Sequence, residues 1–267
     1  RQRQMCIRDS LYDDEFELTF DLSDEDEASR APEPEQEPVQ EAAPEPAAET
    51  EPAAETEPPV EPVPGPAVPA ANGRCVLISG GDRGIGAAAA RAFWQAGYRV
   101  AVLYHTHAEA AAALEKALPG LLAVQCDVAS RASCEVAFHT VEQAVGHVDV
   151  LVSNAGIAQQ KLFTDITPEE WQHMLDVNLS GAFHLCQLAL PGMIRRKAGR
   201  ILTVSSMWGQ TGGSCEVHYS AAKAGLIGLT KALAKEEGPS GITVNCVAPG
   251  VIDTDICLLY TSDAADD

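Results

Sequence analysis

Tyr219 and Lys223 stand four residues apart in His218-Tyr-Ser-Ala-Ala-Lys-Ala-Gly, and Ser206 lies thirteen residues upstream at the end of an apolar run. On a helix, residues i and i+4 share a face, so the phenol and the ammonium would point the same way. An ammonium beside a phenol favours the phenolate and draws a tyrosine pKa down from about 10. That is the property a general acid for carbonyl reduction needs. Two residues alone are more often an exposed helix with an incidental Tyr and Lys. The chemical reading therefore depends on whether a cofactor site lies upstream.

The upstream elements supply one. Cys75-Val-Leu-Ile is a short apolar run that leads into Ser79-Gly80-Gly81-Asp82-Arg83-Gly84-Ile85-Gly86 and then an alanine-rich helical stretch, Ala87 to Gln95. Glycines here allow a tight turn and close backbone approach to a pyrophosphate, and the helix N-terminus adds N–H donors and a positive dipole end. A glycine-rich loop is a weak signal by itself, but strand before and helix after is the context it requires. The pattern continues with strands at Arg99 to Tyr104, Leu121 to Gln125, Val148 to Val152, Arg200 to Ser205 and Ile242 to Val247. Helical stretches lie between them at Ala108 to Leu118, Arg131 to Val145, Pro168 to Arg196 and His218 to Glu237. Thr167 is the expected N-cap of the long stretch, with Pro168 at its first position. Strands that are apolar throughout and alternate with helices predict a parallel sheet covered on both faces.

Charge divides the chain sharply. The net charge is −21, yet residues 73 to 256 hold 16 acidic and 14 basic residues. Residues 11 to 72 hold 19 acidic residues, one basic residue and 12 of the 17 prolines. Such a stretch cannot bury enough apolar surface to offset its chain entropy, so a disordered acidic tail is expected there. Residues 11 to 20 alternate apolar and acidic side chains and read as a solvated tail before a docking peptide. Residues 1–10 and 257–267 resemble translated sequencing-adapter read-through, so about ten residues at each end are expected to be non-native. No basic patch points to nucleic acid, and no apolar run reaches the roughly 18 residues of a membrane span. The eight cysteines form no C-x-x-C pair, which fits a reducing cytoplasm and no metal site.

Taken in order, these motifs resemble the classical short-chain dehydrogenase/reductases, over Arg74 to about Ile256. Ser79, Gly80, Gly84 and Gly86 match the family's glycine loop, and Asn154-Ala155-Gly156 its segment after the fourth strand. Asp127, followed by Val128, matches the acidic residue at the adenine, and Asn178 the active-site asparagine. Pro249, Gly250, Ile252 and Thr254 fall in the segment that reaches the nicotinamide carboxamide, and Ile85 lies in the loop itself. The resemblance implies a single Rossmann-type doubly wound α/β domain over 73–256. It implies Tyr219 as proton donor, Lys223 as its tuner and ribose ligand, Ser206 as donor to the substrate oxygen, and Asn178 as the holder of a relay water.

NADPH is expected over NAD. A 2′-hydroxyl reader would be an acid at the end of the second strand, where this chain has Tyr104-His105-Thr106, while Arg83 is suited to pair with a 2′-phosphate. Asp82 is a departure that works against this. His105 reads as solvated slightly ahead of phosphate-facing. For the substrate, the Tyr219 to Glu236 stretch is similar to bacterial 3-oxoacyl-[acyl-carrier-protein] reductases. Trp208 and the residues up to Glu216 and Val217 look like a close branch that reduces the 5-aminopentanone group on a lysine of elongation factor P. There Trp208 would edge the substrate and Glu216 offer a carboxylate to its amine; the alternative is a loop-packed Trp208 and a water-facing Glu216. The expected partner is thus a carrier-borne ketone, and a cofactor-binding scaffold without catalysis is the competing class. Family members add a lid, a further helix and a seventh strand and form homotetramers. The match here ends near Ile256, so a C-terminally truncated domain is expected to be unstable or inactive.

Overall fold

The structure, a computed structural model, describes residues 72–252. The acidic stretch up to residue 71, both terminal segments and Thr254 lie outside the described residues.

Every apolar run forms a strand: β1 Cys75–Ser79, β2 Arg99–Tyr104, β3 Leu122–Gln125, β4 Val150–Ser153, β5 Gly199–Val204 and β6 Ile242–Val247. All neighbouring pairs are parallel, in the order β3-β2-β1-β4-β5-β6. The helices are α1 Gly84–Gln95, α2 Ala108–Ala117, α3 Arg131–Val145, α4 Pro168–Leu175, α5 Gly181–Arg196, α6 Trp208–Thr211 and α7 Val217–Glu237. β1 is buried along its whole length because its two faces feed two cores. Leu77 packs with Leu103, Leu151 and Ile201 against Phe138 of α3 and Leu185 of α5. Val76 and Ile78 pack with Val102 and Val152 against Ala90 and Trp94 of α1. Period-two alternation of a strand thus becomes burial on both sides, with each fully buried Leu or Ile worth about 1.5–3 kcal/mol relative to exposure.

The register aligns the strand ends. Ser79 is level with Ser153, and Ser153 with Thr203. The chain leaves β1 towards β2 on one side and returns through β4 on the other, so a crevice opens beyond the carboxyl ends of β1 and β4.

Three departures from the sequence pattern matter. α1 begins at Gly84, inside the glycine loop, rather than at Ala87. The stretch Pro168 to Arg196 is broken by a wide π-type turn, Asp176–Ser180. It starts as expected, with Thr167 and Glu170 forming a reciprocal capping box. Within the turn, the Asn178 side chain donates to the Met174 carbonyl at 3.1 Å, competing with the backbone for its acceptor. Third, the short helix α6 has no apolar periodicity and follows directly from Ser206.

Candidate active site

The loop between β1 and α1 is shaped by contact with the end of β4. Gly80 and Gly84 have φ of +60° and +52°. A Cβ on Gly80 would stand 2.9 Å from the Ala155 Cα, and one on Gly86 would strike the Gly80 carbonyl and approach Asn154 Nδ2 to 2.7 Å. Asn154 Nδ2 donates to the carbonyls of Ser79 and Gly80 at 3.1 and 2.9 Å. Ser79 Oγ accepts from the backbone N–H groups of Asn154 and Ala155 at 3.0 and 3.1 Å. Ser79 and Asn154 therefore brace the loop. Ser79 is 1 % exposed, and it and Gly86 lie beneath the crevice rather than lining it.

The crevice itself is lined by Gly80, Arg83, Gly84 and Ile85 from the loop, by Asp127 and Val128 after β3, and by Asn154, Ala155 and Gly156 after β4. Eight of the residues expected to hold a cofactor are thus joined by Asn154, whose amide is turned to the loop backbone. Asp127 Oδ1 accepts from the Ala129 N–H at 3.0 Å, which fixes the carboxylate. The second wall runs from Tyr104 to His107. The cradle fits an extended dinucleotide: side chains are excluded where a pyrophosphate would lie, the start of α1 opens into the crevice, and Arg83 stands at its rim. Pro249 and Gly250 pack over the segment that follows Ser206, with the Met207 N–H donating to the Pro249 carbonyl at 2.9 Å. Ile252 is 43 % exposed.

Ser206, Tyr219 and Lys223, the expected acid–base residues, do not line the crevice; Lys223 adjoins it through Gly156, which does. Tyr219 and Lys223 share the buried face of α7 with Ala222 and Leu226. Lys223 Nζ lies 5.6 Å from the centre of the Tyr219 ring and donates to the Val204 carbonyl at 3.0 Å. Burial pulls the Lys223 pKa down to about 8. Ser205 Oγ donates to the Lys223 carbonyl at 2.8 Å and ties the end of β5 to α7. Ser206 Oγ accepts from the Trp208 N–H at 3.2 Å, which leaves its own proton for another acceptor.

Asn178 joins this group. Its Nδ2 is held by the carbonyls of Ile157 and Met174, while its buried Oδ1 has no hydrogen-bond partner. A Cβ on Gly156 would stand 2.7 Å from that Oδ1 and 3.2 Å from Lys223 Nζ. The two groups thus border one small space, which a glycine keeps open.

The loop-packed alternative holds for Trp208, and the water-facing alternative fails for Glu216. Trp208 packs its indole over Gly213. Glu216 does not face water: it is 2 % exposed, immediately before α7. Beside it, His218 Nε2 lies 2.9 Å from Gln159 Oε1, and Gln159 in turn donates to Glu170 at 3.0 Å. Lys161 pairs with the same carboxylate at 2.7 Å, and its ammonium holds Glu170 down at about 2. This polar cluster had no sequence signal, since its members come from three separate segments. His107 and His173, which also line the crevice, were missed for the same reason. Among the described residues no group of histidine, cysteine and carboxylate side chains is arranged to hold a metal, and no helix is long and apolar enough to cross a membrane.

The sequence matches the short chain dehydrogenase family over residues 74–263. An acetoacetyl-CoA reductase of Rhizobium meliloti is 45% identical over 183 residues, which cover 68% of this chain and 76% of the relative. The 3-oxoacyl-[acyl-carrier-protein] reductase MabA of Mycobacterium avium is 40% identical over 188 residues, 70% of this chain and 71% of the relative. The crystal structure of gox2181 superposes with a TM-score of 0.67 at 32% identity, covering 71% of this chain and 76% of that one. With this sequence match and the doubly wound parallel sheet, the chain belongs to the short-chain dehydrogenase family, as an oxidoreductase acting between an alcohol and a carbonyl.

Proposed function

We propose that the protein uses NADPH to reduce a 3-oxoacyl thioester, carried on coenzyme A or acyl-carrier protein, to the 3-hydroxyacyl form. The observation that carries the reductase reading is the buried Lys223 ammonium 5.6 Å from the Tyr219 ring. The thioester class is supported by the activities named for the relatives. When bound, the nicotinamide supplies the hydride to the carbonyl carbon. Tyr219 donates the proton to the carbonyl oxygen, and Lys223 stabilises the phenolate that remains. Ser206 donates its free O–H to the same oxygen and fixes the ketone in place. The space shared by Asn178 Oδ1 and Lys223 Nζ suits a water that returns the proton.

NADPH is favoured over NADH because Arg83 stands at the rim and the second wall carries no acid from Tyr104 to His107. A second acceptor, the 5-aminopentanone group on elongation factor P, rests on Glu216, a buried carboxylate two residues before His218 and three before Tyr219. A homotetramer working in the cytoplasm belongs to the same reading.

The deciding experiment measures NADPH oxidation with acetoacetyl-CoA, acetoacetyl-acyl-carrier protein and 5-aminopentanone-modified elongation factor P. Faster turnover of the thioesters is expected. Turnover of the modified factor alone would move the assignment to protein modification. Tight NADPH binding with no turnover of any ketone would leave only a cofactor-binding scaffold.

A further inference from the structure

Two cysteines meet at the wall of the crevice. Cys126 follows β3 and lines the crevice, Cys134 lies in the first turn of α3, and their sulfurs are 3.9 Å apart. Both are buried. The segment that joins them carries Asp127 and Val128, which also line the crevice. Its backbone leans on the two thiols. Ser133 Oγ donates to Cys126 Sγ at 3.7 Å and accepts from the Asp127 N–H at 3.0 Å. Cys134 Sγ donates to the Val128 carbonyl at 3.5 Å, where His184 Nδ1 is a further neighbour at 3.1 Å.

Ketone reduction uses neither thiol. Their surroundings nevertheless set them apart from the other cysteines. The hydrogen bond with Cys134 draws the Cys126 thiol below its ordinary value against the burial that pushes it up, and Ser133 adds to the lowering. The same contact, with burial, pushes Cys134 up. Burial pushes Cys75 and Cys186 up to about 12. Among the four buried cysteines of the described residues, the one drawn towards the thiolate is thus the one on the crevice. The thiolate is the form that reacts with an oxidant, and a second sulfur within reach can then resolve the product.

We propose that Cys126 and Cys134 form a reversible dithiol–disulfide site, closed by hydrogen peroxide, that weakens cofactor binding when oxidised. The Cys126 thiolate attacks one peroxide oxygen and the O–O bond breaks. Cys126 becomes a sulfenic acid, and the departing hydroxide takes up a proton to leave as water. The Cys134 sulfur then attacks the Cys126 sulfur. An S–S bond forms, and the sulfenic hydroxyl departs with the Cys134 proton as a second water. The two thiols lose two electrons and the peroxide gains them. The sulfurs close from 3.9 Å to about 2.0 Å. A disulfide has no proton for the Val128 carbonyl, so Asp127 and Val128 shift in the crevice wall. The effect on binding rests on the reading of the crevice as the dinucleotide site. By the same coupling, a bound dinucleotide shields Cys126 from the oxidant.

The full chain treated with a small excess of hydrogen peroxide tests this. Trypsin cuts after Arg131, between the two cysteines, so the link is read by mass spectrometry as a joined pair of peptides. NADP+ affinity, measured by calorimetry, should fall about tenfold in proportion to the linked fraction, and dithiothreitol should restore it. Saturation with NADP+ before the oxidant should slow the linkage. Cys134→Ser should give no linked pair and leave a sulfenic acid on Cys126 that dimedone traps; Cys134→Ala serves the same purpose if the serine variant does not fold. A wild-type chain without the linked pair overturns the dithiol site and leaves the cofactor reading intact. A trapped adduct missing from Cys126 overturns its place as the attacking sulfur. A linked pair with unchanged NADP+ affinity overturns the coupling to the cofactor. A reduced chain that binds no NADP+ overturns the cofactor reading and the coupling with it.

Discussion

The two ends of the candidate site are built on opposite principles. At the phosphate end, backbone does the shaping: glycines, turned amides and a helix start leave space where side chains would collide. At the other end, the residues proposed for the chemistry are buried side chains: Tyr219, Lys223 and Asn178 are all 9 % exposed or less. The first end is intolerant of added atoms, and the second of lost functional groups. That difference makes the two separable by mutation.

The largest separation is expected from Tyr219→Phe. Losing a general acid should lower kcat by about 10²–10⁴-fold while NADPH affinity, measured by fluorescence titration, changes little. Turnover within a few-fold of wild type would remove Tyr219 from the proton transfer. Gly86→Ala should do the reverse. Its methyl group meets the Gly80 carbonyl and the Asn154 amide, so cofactor binding should weaken by about 100-fold or more, read in the same titration. An unchanged affinity would mean that the loop opens at no cost.

A pH profile sharpens the contrast. Burial sets the Lys223 pKa at about 8, below that of a free lysine, so its charge is present below that pH and lost above it. The rate of ketone reduction should fall about tenfold per pH unit above roughly pH 8. Stability should move the other way. A lysine whose folded pKa is depressed costs stability while charged, and that cost disappears as pH rises from about 8 towards the unfolded value. Denaturant midpoints of the wild type, compared with Lys223→Met, check the sign. The smallest effect is expected from Arg83→Ser, which should reduce the preference for NADPH over NADH by about tenfold and leave kcat nearly unchanged. An unaltered preference would place the selection on the second wall alone.

Legibility in the sequence followed the range of the interactions. Arg99–Tyr104, Arg131–Val145 and Ile242–Val247 match their expected bounds because each is a local apolar pattern with a clear stop. The Tyr219–Lys223 pair was legible because a helix fixes i and i+4 by itself. The break at Asp176–Ser180 was not, since nothing in Val-Asn-Leu announces that Asn178 will take the Met174 carbonyl. The water-facing alternative for Glu216 fails because its burial depends on how the loop before α7 folds back, not on its neighbours in sequence.

By itself, then, the sequence determined the order of strands and helices, the glycine loop and the shared helix face of Tyr219 and Lys223. All three depend on contacts within a few residues or on strong periodicity. Tertiary structure alone decided that Gly156 opens a space between Asn178 and Lys223, and that Asp82, Arg83 and His107 meet at the crevice rim. Those placements come from aligning the carboxyl ends of parallel strands, which joins loops far apart in the chain and removes water from the groups between them.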